Sequence, residues 1–91
     1  MIGKFATESQ KREFVQNYSG MWTREERGYV SDLKELVDST ILVELNGVDC
    51  EFNKRWRQKL QSSTEIYYRG VVDRYSADNG HLILSTCYLW R

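Results

Sequence analysis

Proline is absent from this chain of 91 residues, which removes the usual signature of rigid linkers. No internal repeat or low-complexity tract takes its place, so residues 1–91 read as one domain. There are only two cysteines, Cys50 and Cys87. They are too few for a disulfide framework and too far apart for a thiolate zinc site, so both are expected as reduced thiols. Histidine occurs once, at His81. No Ser/His/Asp or Cys/His pair has a spacing that would organise a nucleophile, and Gly-rich phosphate loops, HExxH and CxxC are all missing. The expectation is a protein that is not an enzyme and uses neither cofactor nor metal. No apolar run approaches the roughly 20 residues that span a bilayer, and the opening MIGKFATESQKREF has no apolar signal-peptide core. A cytoplasmic protein without a membrane partner is expected. Net charge is lacking too, with 13 basic residues against 13 acidic ones and a pI near 6.6, so the overall basic character usual in nucleic-acid binders is missing.

Apolar residues make up 41% of the chain and aromatics 13%, with three Trp and six Tyr, too much for a disordered tail. A chain this short buries roughly 60 to 65% of its unfolded surface and folds on one modest core.

The clearest local signal is Ile41 to Phe52, ILVELNGVDCEF. Asn46-Gly47 tolerates the two positive φ values of a type I′ turn, which closes a two-residue hairpin and fixes its register. Leu45 then faces Val48, Val43 faces Cys50 and Ile41 faces Phe52, while Leu42, Glu44, Asp49 and Glu51 take the other face.

Before the hairpin, Thr7-Glu8-Ser9-Gln10 fits a capping box. Phe14, Val15 and Tyr18 follow at helical spacing, with Ser19-Gly20 as a stop, predicting a helix over 7–19. Thr23-Arg24-Glu25-Glu26 fits a second box. Behind it Tyr29, Val30, Leu33, Leu36 and Val37 form a helical stripe, predicting a second helix over 23–38 with Trp22 at the junction of the two. After the hairpin the even-numbered alternation continues through Phe52, Trp56 and Leu60. The strands are therefore placed at 40–45, 48–60, 64–75 and 81–90, with Val72 opposite Leu84 or Thr86 on the core face, Leu82, Tyr88 and Trp90 on that same face, and Gly80 left-handed in the last turn. The predicted class is α+β: two N-terminal helices, then a four-stranded antiparallel meander curling toward a half-barrel. A leading helix followed by ILVELNG, YYRGVV and HLIL resembles the strand order of Sm-like and SH3-like small barrels. Where the Sm pattern carries an Asp and an Asn in its nucleotide-binding loop, this sequence has Ser76 and His81 with an extra residue between them. The resemblance thus implies a small barrel without an inherited RNA site.

Charge is distributed unevenly. Arg24 to Glu51 carries three basic residues against eight acidic, and Phe52 to Tyr75 six basic against two acidic. The outward face of the expected second and third strands gathers Arg55, Arg57, Lys59, Tyr67 and Arg69, cations and rings of the kind that hold single-stranded nucleic acid. An ordinary solvated face is the competing reading, and Arg with Tyr also marks protein interfaces. Glu44, Asp49 and Glu51, with Asp73 nearby, form an acidic counterpart suited to a basic protein partner. The expected function is a small non-catalytic protein-binding module, such as a phage-type inhibitor or adaptor of a larger nucleic-acid-processing machine. The alternative is a single-strand nucleic-acid binder using the basic face, and a free edge strand would offer a route to homo-oligomers.

Overall fold

The computed structural model describes residues 7–90. Its elements are α1 (Glu8–Tyr18), β1 (Glu26–Glu35), β2 (Thr40–Leu45), β3 (Val48–Asn53), a 3-10 helix (Lys54–Lys59), β4 (Glu65–Tyr75) and β5 (Leu82–Leu89). The five strands close into a barrel in the order β1-β2-β3-β5-β4, with β4 returning to β1. β3 and β5 run parallel, and the other neighbours are antiparallel. The α+β class is as expected.

The hairpin forms as its sequence dictates. Asn46 and Gly47 take φ of 53° and 86°, and Leu45 pairs with Val48, Val43 with Cys50 and Ile41 with Phe52. These side chains join Val30, Leu60, Tyr68, Val72, Leu82 and Leu84 inside the barrel. Each large apolar side chain so enclosed stabilises the fold by about 1.5–3 kcal/mol relative to exposure. The first capping box is present as well: Thr7 Oγ1 accepts from Gln10 N, and Gln10 Oε1 accepts from Thr7 N. α1 lies on the barrel through Phe14 and Val15, and Lys11 Nζ donates to the Gly80 carbonyl at 2.7 Å.

The segment expected as a second helix, 23–38, is strand β1 over Glu26–Glu35. A bulge explains the misreading. Val30 pairs with Leu45 and Asp32 with Glu44, so Ser31 is an extra residue, and the inward set becomes Gly28, Val30 and then Leu33. One step of three inside a period of two imitates helical spacing. Gly28 also disfavours a helix interior, and Tyr29-Val30 favours a strand. The supposed cap Thr23 is buried instead: its N–H donates to the Gly70 carbonyl at 2.8 Å, and its hydroxyl accepts from Gly70 N at 3.1 Å.

The expected long strand 48–60 ends at Asn53, whose side chain accepts from Arg55 N at 2.9 Å and opens the 3-10 helix. That turn buries Leu60 and leaves Lys54, Arg55, Arg57 and Lys59 exposed. β3 therefore never meets β4. It lies beside β5, with Val48 opposite Leu82 and Phe52 opposite Cys87, and a closed five-stranded barrel replaces the four-stranded meander. The pairing of Val72 with Leu84 and the left-handed Gly80 are as the sequence predicts. β2 and β5, the strands expected to offer a free edge, each have a neighbour on both sides. Among the described residues no helix is long and apolar enough to cross a membrane.

Candidate functional site

β1 leaves β4 at Tyr68. Beyond that point the segment Gly20–Thr23 takes over the same side of β4. Gly20 N donates to the Val72 carbonyl at 2.8 Å, Val72 N to the Met21 carbonyl at 2.9 Å, and Trp22 bridges Val71. This pairing holds Trp22 on the outer surface, 49% exposed. On the other side of β4, Arg69 pairs with Tyr88 of β5, and Trp90 N donates to the Tyr67 carbonyl at 2.8 Å.

Arg69 is the centre of the resulting cluster. Its guanidinium lies 5.3 Å from the Trp90 ring centroid and 6.0 Å from that of Trp22. Nε donates to the Thr23 carbonyl at 3.0 Å, and Nη1 to the Tyr88 hydroxyl at 3.4 Å. Tyr88 meets Trp22 edge-on at 5.6 Å and Trp90 at 6.4 Å. An arginine held this way is fixed in orientation, and each cation–π contact contributes about 0.5–2 kcal/mol. Trp90 is 46% exposed, so both indoles flanking Arg69 are half-exposed at the surface.

Trp22 and Tyr88 also form one wall of a groove of about 500 Å³, whose other walls include Thr86, Asn53, Arg55 and Trp56. Arg55 and Lys59 lie 5.2 and 5.9 Å from the Trp56 ring. Among the described residues, Lys54, Arg55, Arg57 and Lys59 make no ion pair, so the positive charge of the 3-10 helix is not neutralised locally. Glu51, on the groove wall, is engaged by Arg74 at 3.6 Å.

The five residues expected on one basic strand face are thus divided. Tyr67 and Arg69 share the outer face of β4, and Arg55 lines the groove beside Trp22 and Tyr88 from the 3-10 helix. Lys59 stands over Trp56 from outside the groove lining, and Arg57 is exposed on the 3-10 helix. The acidic set is divided as well. Glu44 pairs with Asp49 across the hairpin as expected. Asp49 is not solvated, however: it is 6% exposed and bonded to His81 Nδ1 at 3.0 Å and Asn79 Nδ2 at 3.1 Å. Glu51 and Asp73 both pair with Arg74.

Sequence reasoning missed Trp22, Tyr88 and Trp90. It assigned Trp22 to a helix junction and the other two to the core face. In β5, Thr86 takes φ of 51°, and the inward set shifts from Leu82 and Leu84 to Cys87. Tyr88 and Trp90 are thereby turned outward. A β-branched residue in the left-handed region has no sequence signature.

A closed five-stranded barrel in this order, with parallel β3 and β5, has the architecture of an OB-type barrel, here with an arginine and aromatic groove on its outer surface. The chain is similar in fold to a solved structure from Klebsiella pneumoniae described as a "putative nucleic acid-binding lipoprotein", with 14% identity and a TM-score of 0.63 over 91% of this chain and 81% of that one. No family model matches the chain, and no curated protein matches it by sequence.

Proposed function

We propose that the chain is a non-catalytic recognition domain that binds single-stranded nucleic acid along the groove between the Arg69 cluster and the 3-10 helix. The observation that carries this reading is the pairing of two half-exposed indoles around Arg69 with an adjoining run of four cations that make no ion pair among the described residues. Bases need π-faces and phosphates need mobile counter-charges, and single-strand binders combine the two. Support from fold is by analogy: OB-type barrels often bind oligonucleotides or oligosaccharides, and the solved neighbour is described as nucleic-acid-binding in the words quoted above. The zero net charge sets a limit, because affinity must come from stacking and a local patch rather than from a global field.

The test is a salt titration of fluorescent single-stranded RNA and DNA. The log–log slope is expected to be about −0.7 per phosphate contact and to become shallower when Lys54, Arg57 and Lys59 are neutralised. Absence of binding at low salt, or affinity indifferent to salt, overturns the reading.

A second reading is a protein-binding module, an inhibitor or adaptor of a nucleic-acid-processing machine. A second groove of about 450 Å³, on the other side of Trp22, favours it: Phe14, Tyr18, Met21 and Val72 line it beside Thr23, Arg24 and Glu26, with Tyr18 and Met21 exposed. Apolar and aromatic side chains open to solvent on a small domain mark interaction surfaces. Affinity capture with native chain and with Tyr18→Ala/Met21→Asp separates the two readings, because a protein partner held in this groove is lost in the variant while salt-dependent nucleic-acid binding is retained.

A further inference from the structure

We propose that Glu44, Asp49 and His81 form a site for one divalent transition-metal ion, of the zinc class, at the end of the barrel where the β2–β3 turn meets the β4–β5 loop. Three segments supply the donors: Glu44 from β2, Asp49 from β3 and His81 from the β4–β5 loop just before β5. The donor atoms of all three lie within 4.8 Å of one another.

The site is more than a group of surface carboxylates. Glu44 and Asp49 are direct cross-strand partners, and Asp49 is more than nine-tenths buried. Like charges opposed across strands repel, and a buried carboxylate needs a counter-charge. No Lys or Arg pairs with either carboxylate among the described residues. Among the described residues the one cationic partner is His81, which carries charge only when protonated. A divalent ion with two carboxylates and a neutral imidazole gives a neutral assembly.

The donors are also held in place. The Ser31 hydroxyl lies 3.1 Å from both Glu44 Oε2 and the Glu44 carbonyl, sharing its one proton between them, and Ser31 is the extra residue of the β1 bulge. Asn79 Nδ2 donates to Asp49 Oδ2 at 3.1 Å, and Asn79 Oδ1 accepts from His81 N at 3.0 Å. Lys11 of α1 ties down the Gly80 carbonyl in the same loop. Supporting hydrogen bonds of this kind orient metal ligands. Donors about 2.0–2.1 Å from a tetrahedral zinc stand about 3.3–3.4 Å apart, and Asp49 Oδ1 and His81 Nδ1 are already 3.0 Å apart. One nitrogen and two carboxylate donors suit Zn²⁺ rather than Ca²⁺, which takes six to eight oxygens. On binding, the Nδ1 proton is released to solvent and the neutral imidazole carries its one proton on Nε2, so that the Nδ1 lone pair and one oxygen of each carboxylate turn to the ion. The ion clamps the β4–β5 loop to the hairpin.

The experiment uses chelator-stripped protein titrated with Zn²⁺ alone by calorimetry, with thermal unfolding in parallel and Co²⁺ as a spectroscopic probe. One equivalent is expected to bind and to raise the unfolding midpoint. Affinity is expected to fall by about tenfold or more in Glu44→Gln and in His81→Gln and to be unchanged in Glu8→Gln. Glu44 is only half-buried, so Glu44→Gln is expected to keep the metal-free circular dichroism of the native chain. The Co²⁺ form is expected to show d–d bands without a thiolate charge-transfer band. No binding at millimolar metal, binding indifferent to both variants, or a thiolate band pointing to Cys50 or Cys87 each overturns the proposal.

Discussion

A Cβ placed on Gly70 would stand 2.5 Å from the Sγ of Cys87 and 3.1 Å from the Cβ of Leu84. Both Gly70 and Cys87 fall in the irregular stretch of the β4–β5 ladder between the Arg69–Tyr88 and Val71–Ser85 pairs, and the thiol fills the space a side chain at Gly70 would take. Gly70→Ala therefore overpacks the barrel and is expected to lower stability by about 1–3 kcal/mol in urea unfolding. Adding Cys87→Ala should return part of that loss, because it removes the closer contact and leaves the one to Leu84. Simple additivity of the two changes would contradict this account.

Removing either open indole tests the groove. Trp22→Ala and Trp90→Ala are each expected to weaken single-strand binding by about 1–3 kcal/mol in fluorescence anisotropy, the usual loss of one stacked base. Arg69→Lys keeps the charge but loses the fork that reaches both Thr23 and Tyr88. Its affinity should fall while the salt slope stays the same, since the number of cations near phosphate is unchanged. Full affinity in all three variants would place the nucleic acid elsewhere.

The elements that were legible in the sequence are those fixed by local chemistry. The Thr7–Gln10 box starts α1, Asn46-Gly47 sets the hairpin register, and Val72 and Leu84 meet because both ends of their turn carry strong strand patterns. The departures share a cause, the loss of strict alternation. The extra Ser31 made β1 read as a helix, the Asn53 turn replaced half a strand with a 3-10 helix, and Thr86 reversed the faces of β5. A period-two reading carries parity across such points unchanged, so the residues of β5 beyond Thr86 are assigned to the wrong face, while β4 keeps the expected one. Arg69 was therefore placed on its true face, whereas Tyr88 and Trp90 were not, and Trp22 was lost with the misread helix. The approach of His81 to Asp49 was hidden for a different reason: it depends on parallel pairing of β3 with β5, a contact distant in sequence.

Two buried weak acids set an alkaline limit. Burial pushes the Cys50 thiol well above its ordinary value of 9.0, and the neighbouring Cys87 adds to the shift. Burial likewise raises the Tyr68 phenol above its ordinary 10.0, with Cys50 and Glu26 contributing charge. In both cases the folded chain keeps a proton that the unfolded chain releases. The stabilisation is complete below the unfolded values and is lost as pH rises past them, by about 1.4 kcal/mol per pH unit for each group. Urea midpoints should be unaffected by these groups near neutrality and fall above about pH 9. Tyr68→Phe should make the fall shallower, and a midpoint unchanged to about pH 11 would contradict the burial of both groups.

Thr86 carries the strain that opens the groove. It is exposed and sits at φ of 51°, where an L-residue other than glycine costs about 1–2 kcal/mol and a β-branched one fits worst. The cost maintains a geometry in which Cys87 points into the barrel and Tyr88 and Trp90 face solvent beside Arg69. Strain of this kind persists where the surrounding structure over-determines it, often at a functional surface. Thr86→Asn, whose side chain tolerates the left-handed region, is expected to raise stability by up to about 1 kcal/mol, seen as a higher melting temperature. Thr86→Gly should gain less, because glycine gives up more chain entropy on folding. Both should leave tryptophan emission near its original wavelength, since the aromatic rings stay outward. Deleting Thr86 removes the extra residue: strict alternation from Leu84 then itself puts Cys87 inward and Tyr88 and Trp90 outward, so tryptophan emission should stay that of exposed indoles. A blue shift in a folded deletion variant would show that the left-handed residue, rather than the register of β5, turns the aromatic end outward.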